Sequence, residues 1–280
     1  IKNFNVGKNI FIAYSPERVD PGNSKYTIEN TPKIVSGYTK NCKILVNEFY
    51  KKVCKKTVLA SSLEHAEMAK LYENIFRSVN IGLANETKNI CLKLGLDFNE
   101  ILKLSSTKPF GFMPFYSGPG VGGHCIPVDP FYLSWFAKKK KINTKFIKLA
   151  GDINDNEPHN IVKKFKKILK EKSIKKTNKI LILGLSYKKN ISDVRNSPSL
   201  EIYKKLKDLK YNLDFNDKYV KEIRFKNKIF QSVELKNHNK YKIILLLTNH
   251  DYYKKLKFLK NQIIIDTRNY FLKYNNIFNI

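Results

Sequence analysis

Cys125 is the side chain in this sequence best suited to do chemistry. It lies in the stretch GPGVGGHCIPVDP (118–130), which contains four glycines, with His124 beside it and Asp129 four residues further on. A thiol in a polar loop with nearby donors can ionise and act as a nucleophile. Most free cysteines are instead small buried hydrophobes, and the residue types alone leave both interpretations open. A papain-type protease fits poorly, because its partners should be distant in sequence.

The glycines of this loop suit close approach of a ligand to the main chain. Glycine lacks a Cβ atom and reaches backbone angles that other residues avoid. We therefore expect Gly120, Gly122 and Gly123 to offer unused backbone N–H donors to a bound ligand.

The charge balance is strongly basic but poor in arginine. Among 280 residues, 53 are Lys or Arg and 24 are Asp or Glu, and only five of the 53 are arginine. Arginine makes the bidentate contacts to phosphates and bases, so we expect no nucleic-acid partner. A lysine-driven nucleic-acid binder is the weakest alternative function. The positive field would help to attract an anionic small substrate.

Neither a membrane segment nor a disulfide framework is expected. No run approaches the roughly 20 apolar residues that span a bilayer, and no signal-peptide pattern appears. The cysteines have no CxxC spacing and no histidine grouping, which argues against disulfides and a zinc site; they are Cys42, Cys54, Cys91 and Cys125. We expect a cytoplasmic protein with no metal and no membrane partner.

The first sixty residues have the pattern of an α/β domain. Apolar runs at 10–14, 32–38 and 55–61 predict strands, and helical spacing over 41–54 predicts a helix between the last two. Alternating strands and helices indicate the end of a domain with a parallel sheet.

A helix of about thirty residues is predicted over 63–94. This stretch contains no proline and one glycine, and its apolar residues recur at helical spacing: Ala66, Ala69, Ile75, Val79, Leu83 and Ile90. A helix of this length exceeds one small core, so we expect it to bridge domains or to pair with a second copy in a homodimer or higher homo-oligomer.

Further helices precede a second α/β pattern. Helices are predicted within 94–106, from 130 and over 146–171, the last with Pro158 as a break or a first-turn residue. The apolar run ILILGL (180–185) predicts a central strand, and Ser197 the N-cap of the next helix. Further strand candidates are YNLDF, YKIILLLT and NQIIIDT. This Rossmann-like region has only Gly184 after its first strand, which supports dinucleotide binding poorly.

Five stretches make the chain resemble the UDP-glucose/GDP-mannose dehydrogenase family of NAD-dependent nucleotide-sugar 6-dehydrogenases. In family order they are YSPERVDPG (14–22), AEMAKLYENIFRSVNIGLANE (66–86), TKPFGFMPFYSGPGVGGHCIPVDPFYLSW (107–135), LGLSYKKNISDVRNSPSLEI (183–202) and IIDTRN (264–269). The third stretch is most similar to the UDP-N-acetylglucosamine 6-dehydrogenase branch. Pro21 occupies the place of a second glutamate in the UDP-glucose branch, which favours an N-acetylhexosamine.

The resemblance implies an α/β architecture in three parts. Residues 1–62 would be the C-terminal part of the NAD-binding Rossmann domain. Residues 63–172 would form a central helical dimerisation and catalytic-loop domain, and residues 173–280 a UDP-sugar-binding Rossmann-like domain.

The resemblance also implies the reaction and its catalytic residues. A C6 alcohol is oxidised to a carboxylate in two steps, with Cys125 capturing the aldehyde as a thiohemiacetal that becomes a thioester. Lys70 and Asn74, four residues apart on one helix face, would stabilise the oxyanion. Asp129 would assist proton transfer and Glu17 would lie near the hydrolytic water. The residues alone leave a structural role open for each of these two carboxylates. Asp129 would then be the N-cap of the following helix, and Glu17 would cap a turn.

Basic residues are implied around the UDP moiety. Arg268 is the preferred pyrophosphate contact because of its bidentate fork, and Lys188 matches a second basic position. Arg195 matches a cofactor or substrate position but could instead pair with Asp193. Lys108 could reach the site of a neighbouring subunit.

The cofactor implied is NAD, although no Rossmann glycine fingerprint is present to hold it. We therefore expect a chain that begins inside the NAD domain and is inactive alone. The alternatives are an inactive remnant that binds UDP-sugar or dimerises, and a dehydrogenase for UDP-glucose or UDP-N-acetylmannosamine. The product would enter surface-polysaccharide synthesis.

Overall fold

The computed structural model describes residues 4–20, 22–23, 25–271 and 276–280, so Pro21 lies outside the described residues. The chain divides into two compact units, one ending at Phe76 and the other spanning Arg77–Ile280. The division falls inside a helix, and the three-domain division stays a prediction.

The unit that ends at Phe76 contains a three-stranded sheet. Its elements are β1 (Ala13–Tyr14), β2 (Lys33–Gly37), α1 (Lys40–Lys51) and β3 (Thr57–Leu59). Strand β2 is central, pairing parallel with β3 and antiparallel with β1. The predicted strands and helix are therefore present, but the first strand is only two residues long and is antiparallel.

The helices that follow lie close to their predicted positions. They are α2 (Leu63–Leu94), α3 (Phe98–Ser105), α4 (Asp129–Lys139) and α5 (Lys145–Glu171). The 32-residue α2 confirms the long predicted helix. Within the described ranges, no helix combines the length and apolar character needed to cross a membrane.

Pro158 neither breaks nor begins a helix, which corrects the prediction, because α5 continues through it. Proline lacks an N–H, so the carbonyl of Asn154, four residues earlier, cannot form its helical hydrogen bond. That carbonyl lies against the glycine loop instead: a Cβ at Gly120 would be 3.1 Å from the Asn154 oxygen. The proline thus helps the loop approach α5.

The second half of the larger unit is a Rossmann-like domain. Its elements are β4 (Ile180–Leu183), α6 (Pro198–Asp208), β5 (Leu213–Asn216), β6 (Glu222–Phe225), β7 (Lys228–Gln231), β8 (Ile243–Leu246), β9 (Ile263–Asp266) and β10 (Ile277–Asn279). Five strands form a parallel sheet in the order β10-β9-β8-β4-β5, while β6 and β7 form a separate hairpin. Counted from β4 this is the doubly wound order 2-1-3-4-5, which confirms the predicted α/β class.

Local sequence explains the central elements of this domain. Every residue of β4 and β8 is buried, as expected for parallel strands covered on both faces. The Ser197 hydroxyl accepts the Leu200 N–H at 3.3 Å and caps α6, with Pro198 first in the helix. The hairpin and β10 are short and carry polar residues, so sequence patterns did not predict them.

Candidate active site

Cys125 lies at the end of the glycine loop, immediately before α4. Its side chain is partly exposed, whereas Cys42, Cys54 and Cys91 are buried, and all four are free thiols. The Cys125 carbonyl accepts the Asp129 N–H at 2.8 Å. This hydrogen bond joins Cys125 to the first turn of α4.

Asp129 is the first residue of α4 rather than its N-cap. The N-cap residue is Val128, with no side-chain capping bond, so the alternative that Asp129 serves as the N-cap is wrong. Asp129 is joined to Cys125 by the hydrogen bond from its N–H to the Cys125 carbonyl, which closes one turn.

The second half of the glycine loop packs against the segment that follows β4. A Cβ at Gly122 would lie 2.5 Å from the Tyr187 side chain, and Gly123, at φ +88°, lies under the Tyr187 ring. The Gly123 carbonyl accepts the Asn196 amide at 3.0 Å. Glycine is required here by contact with the protein itself.

Not all loop N–H groups are unused, which corrects the sequence expectation. The Gly123 N–H donates to the Arg195 carbonyl at 3.1 Å. At the other end of the loop, the Gly118 N–H donates to Asn85 Oδ1 at 2.9 Å. Ligand contacts by Gly120, Gly122 and Gly123 stay predictions.

Arg268 contacts the beginning of the same loop. A Cβ at Gly118 would lie 2.8 Å from the Arg268 Cζ atom and overlap Nη1. The Arg268 Nε donates to the Leu247 carbonyl at 3.0 Å, and its backbone N–H to Asp266 Oδ1 at 2.8 Å. Since Leu247 follows β8 and Arg268 follows β9, the guanidinium lies at the carboxyl edge of the sheet, where such folds bind ligands.

The guanidinium of Arg268 remains a cation although it is partly buried. Burial lowers the pKa of Arg268 to about 10, against the opposing effect of Asp266. A cavity of about 320 Å³ borders this edge and is lined in part by Ser117, Thr267 and Asn269. Its lining combines polar and apolar residues and includes the charged side chains of Lys88 and Asp266.

Helices α2 and α5 meet through buried and half-buried polar residues, here called the α2–α5 seam: Asn85, Lys88, Asn89, Asn154, Glu157 and Lys164. Lys88 Nζ lies 3.2 Å from Glu157 Oε2, with 6% of Lys88 and none of Glu157 exposed. Burial lowers the pKa of Lys88, with Arg268 adding to the effect and Glu157 opposing it. A buried charge that lacked this partner would be costly.

Lys188 lies in a segment held from beneath by buried hydrogen bonds. The Ser186 hydroxyl donates to the Lys188 carbonyl at 2.8 Å. Asp217, which follows β5, accepts the N–H groups of Leu185 at 2.8 Å and of Ser186 at 3.2 Å, and its Oδ2 lies 3.0 Å from His250 Nε2. Burial works against ionisation, but the His250 and backbone hydrogen bonds lower the pKa of Asp217.

Arg195 makes the structural pair that the sequence had left open. Its guanidinium binds Asp193 through Nη2 at 2.6 Å and through Nε at 3.0 Å. This hydrogen bond raises the pKa of Arg195 and lowers that of Asp193. With its carbonyl accepting the Gly123 N–H, Arg195 supports the glycine loop.

The residues that could cradle NAD in the larger unit do not fit it. A dinucleotide needs free N–H groups in a tight turn between the first strand and its helix. Here Asp217 occupies the N–H groups after β4, and a Cβ at Gly184 would overlap the Thr248 carbonyl. The run GPGVGG (118–123) spells G-x-G-x-x-G, but no strand leads into it.

Glu17 belongs to the smaller unit and caps its own turn. This is the structural role that the sequence had left open for it. Its Oε1 accepts the N–H groups of Arg18 and Val19, each at 2.7 Å, and Oε2 lies 3.3 Å from Lys33. Partial burial opposes ionisation, but these contacts lower the pKa of Glu17. The side chain is therefore a carboxylate at neutral pH.

Lys70 and Asn74 lie one turn apart on α2, in the part of the helix that belongs to the smaller unit. Asn74 is fully buried and Lys70 is partly exposed. Lys108 is exposed, and its Nζ lies 5.1 Å from the centre of the Phe110 ring. Catalytic and subunit-bridging roles for these residues stay predictions.

Sequence reasoning missed Asn85, Asp217 and His250. Asn85 and His250 are fully buried, and Asp217 is 1% exposed. Asparagine inside a helix and histidine after an apolar strand were the available signals, because buried polar groups need a specific partner.

Comparisons with known proteins agree with this architecture. The chain is 34% identical to a UDP-N-acetyl-D-mannosamine dehydrogenase of Methanocaldococcus jannaschii, over 96% of this chain and 62% of the relative. It is 32% identical to a UDP-N-acetyl-D-glucosamine 6-dehydrogenase of Salmonella typhi, over 89% and 59%. The chain thus spans about three fifths of these relatives.

The solved structure of a UDP-D-ManNAc dehydrogenase from Pyrococcus horikoshii superimposes with a TM-score of 0.85 at 27% identity, covering 99% of this chain and 66% of that one. Residues 64–156 match the central domain of the UDP-glucose/GDP-mannose dehydrogenase family, and residues 181–273 match its UDP binding domain. With both domains present in order, the chain belongs to the UDP-glucose/GDP-mannose dehydrogenase family.

Proposed function

We propose that the protein oxidises the C6 alcohol of a UDP-N-acetylhexosamine to the carboxylate. The observation that carries the proposal is that one glycine loop both ends in the partly exposed Cys125 and begins against Arg268. One loop thereby carries a thiol nucleophile at one end and contacts a phosphate-binding cation at the other. Relatives that act on N-acetylglucosamine and N-acetylmannosamine both match, so we name the N-acetylhexosamine class and test UDP-N-acetylglucosamine first.

Binding is assigned to the larger unit. Arg268 and Lys188 hold the pyrophosphate, and Gly120, Gly122 and Gly123 lie along the sugar nucleotide. The cavity lined by Ser117 and Asn269 beside Arg268 receives the nucleoside.

The covalent steps are assigned to Cys125. Its thiolate adds to the C6 aldehyde, forming an S–C6 bond, and the carbonyl oxygen takes up the charge and then a proton. Lys70 and Asn74 donate to this oxygen. After oxidation to the thioester, water adds to C6 and sulfur leaves as the thiolate. Asp129 accepts the proton of that water, and the carboxylate of Glu17 lies near the water.

The two oxidations require a hydride acceptor, for which we propose NAD on the family's account. In the larger unit, the turn after β4 does not provide a cradle for it, because Asp217 holds the N–H groups there. We expect the 280-residue chain alone to bind UDP-sugar without turnover.

We also propose a homodimer in the cytoplasm, with α2 at the interface. Several large apolar side chains on α2 are exposed, among them Tyr72, Leu83, Ile90 and Leu94. Several large exposed apolar side chains on one helix indicate a partner surface. The free thiols suit a reducing compartment.

Calorimetry on the chain, with UDP-N-acetylglucosamine, UDP-N-acetylmannosamine, UDP-glucose and duplex DNA, tests the proposal. We expect selective binding of one UDP-N-acetylhexosamine. NADH release by the protein expressed from its complete gene tests the oxidation. Absence of UDP-sugar binding would refute the proposal, and retained binding without turnover would favour the inactive remnant.

A further inference from the structure

We propose that Asn85 is a positioning residue for UDP-sugar binding, which acts by anchoring Gly118 beneath Arg268. The inference rests on the proposed function. The buried side-chain amide of Asn85 forms hydrogen bonds both to the glycine loop and to α5.

The first step is the hydrogen bond between α2 and the loop. Asn85 is fully buried, and its Oδ1 accepts the Gly118 N–H at 2.9 Å. Gly118 is also buried. A buried N–H without an acceptor is destabilising, so this bond determines where the loop can begin.

The second step is the orientation of the Asn85 amide. Its Nδ2 donates to Asn154 Oδ1 at 3.2 Å, and Asn154 Nδ2 donates to the Ser78 carbonyl at 3.0 Å. A backbone carbonyl can only accept and a backbone N–H can only donate, so both amides have one consistent orientation. The Asn85 oxygen is thereby directed to the loop.

The third step is the contact between Gly118 and Arg268. A Cβ at Gly118 would lie 2.8 Å from Cζ of Arg268, so the position of Gly118 limits where the guanidinium can lie. The Leu247 carbonyl holds Nε at 3.0 Å, so that, as far as the described residues go, the outer Nη donors are left for a ligand. If Gly118 moved, the guanidinium would lose one wall of its site.

Asn89 provides a matched control. It is an asparagine on the same helix, four residues further on, and it also joins α2 to α5. Its Nδ2 donates to Glu157 Oε1 at 3.0 Å, and its Oδ1 accepts from Lys164 at 2.7 Å. Asn89→Ala therefore breaks polar contacts of the seam without removing the acceptor of Gly118.

The test measures UDP-N-acetylglucosamine affinity by calorimetry, with UDP-N-acetylmannosamine in parallel, and thermal stability for each variant. We expect Asn85→Ala to weaken binding by about tenfold or more, the effect of one buried hydrogen bond to a binding element. Asn89→Ala should lose stability but keep affinity close to the parent. Asn85→Asp, which keeps an acceptor for Gly118, should recover most of the affinity even if it is less stable.

Two outcomes overturn the inference: Asn85→Ala binding like the parent, or Asn89→Ala losing affinity to the same extent. If the parent binds no UDP-sugar, the proposed function fails instead. Amide exchange at Gly118 in the parent gives a reading independent of ligand and of the variants. We expect strong protection there, and exchange at the rate of an exposed loop would overturn the anchoring step.

Discussion

Gly118 and Arg268 are far apart along the chain, yet the guanidinium of Arg268 occupies the space where a side chain at Gly118 would lie. The loop that carries Cys125 and the arginine that follows β9 are therefore in direct contact. Any residue larger than glycine at position 118 must displace the guanidinium.

Gly118→Ala should accordingly weaken UDP-sugar binding by about tenfold, because a charge-assisted contact to the pyrophosphate contributes about 1.5–3 kcal/mol. Gly82→Ala is the control, since a Cβ there would meet Ala150 at an ordinary 3.5 Å. Calorimetry on both variants checks the expectation. Equal affinity in both would show that Arg268 does not bind the pyrophosphate.

Cys125→Ser should stop acid formation while leaving UDP-sugar affinity largely intact. A serine hydroxyl is a weaker nucleophile than an ionisable thiol, whereas Arg268 and Lys188 do not depend on the sulfur. Asp129→Asn should instead slow proton transfer and hydrolysis with the thiol available. Acid yield and NADH release from the complete protein, measured beside UDP-sugar affinity by calorimetry, distinguish the effects of the two variants. If Cys125→Ser oxidised the substrate to the acid at the parent rate, the thiol would have only a structural role.

The same thiol should be alkylated first by iodoacetamide. Cys125 is partly exposed and the other three cysteines are buried, so peptide mapping should find the label at Cys125, and UDP-sugar should slow its appearance. Labelling of Cys91 at the same rate would contradict the described exposure.

Stability should rise with pH above about pH 8, in part through Lys164. Burial, with Lys88 adding to it and Glu157 opposing it, lowers the pKa of Lys164 to about 8 from 10.5. Between these values the unfolded chain binds more protons than the folded one, so the free energy of unfolding increases with pH across that window. Below about pH 8 the cost of the buried charge is fully present.

Lys164→Met should reduce this slope, and Lys167→Met, at an exposed position on the same helix, should not. Melting temperatures from about pH 7 to about pH 10.5 measure it. An unchanged slope in Lys164→Met would show that Lys164 titrates as an exposed lysine.

The double substitution Leu83→Glu and Ile90→Glu should dissociate the proposed homodimer. Both side chains are more than half exposed on α2, and a carboxylate in an apolar interface is strongly unfavourable. Sedimentation velocity at several concentrations measures the mass, with Lys228→Glu on the β6–β7 hairpin as the charge control. A monomeric parent would refute the proposal.

Local sequence pattern was enough to predict the elements whose formation depends on near neighbours in the chain. The apolar runs of β4 and β8, the proline-free stretch of α2 and the Ser197–Pro198 helix start all lie where they were predicted. Such features are decided by residues within one or two turns of each other. The family motifs were readable for the same reason.

Which groups those elements bring together was decided by packing. That Asn85 holds Gly118, that Arg195 pairs with Asp193 while binding Gly123, and that Asp217 closes the turn after β4 are contacts made on folding. Most of them join segments far apart in the chain, where no local period or propensity indicates a partner. Buried donors and acceptors must be satisfied by whichever element lies adjacent, and adjacency between distant segments exists only once the chain has folded.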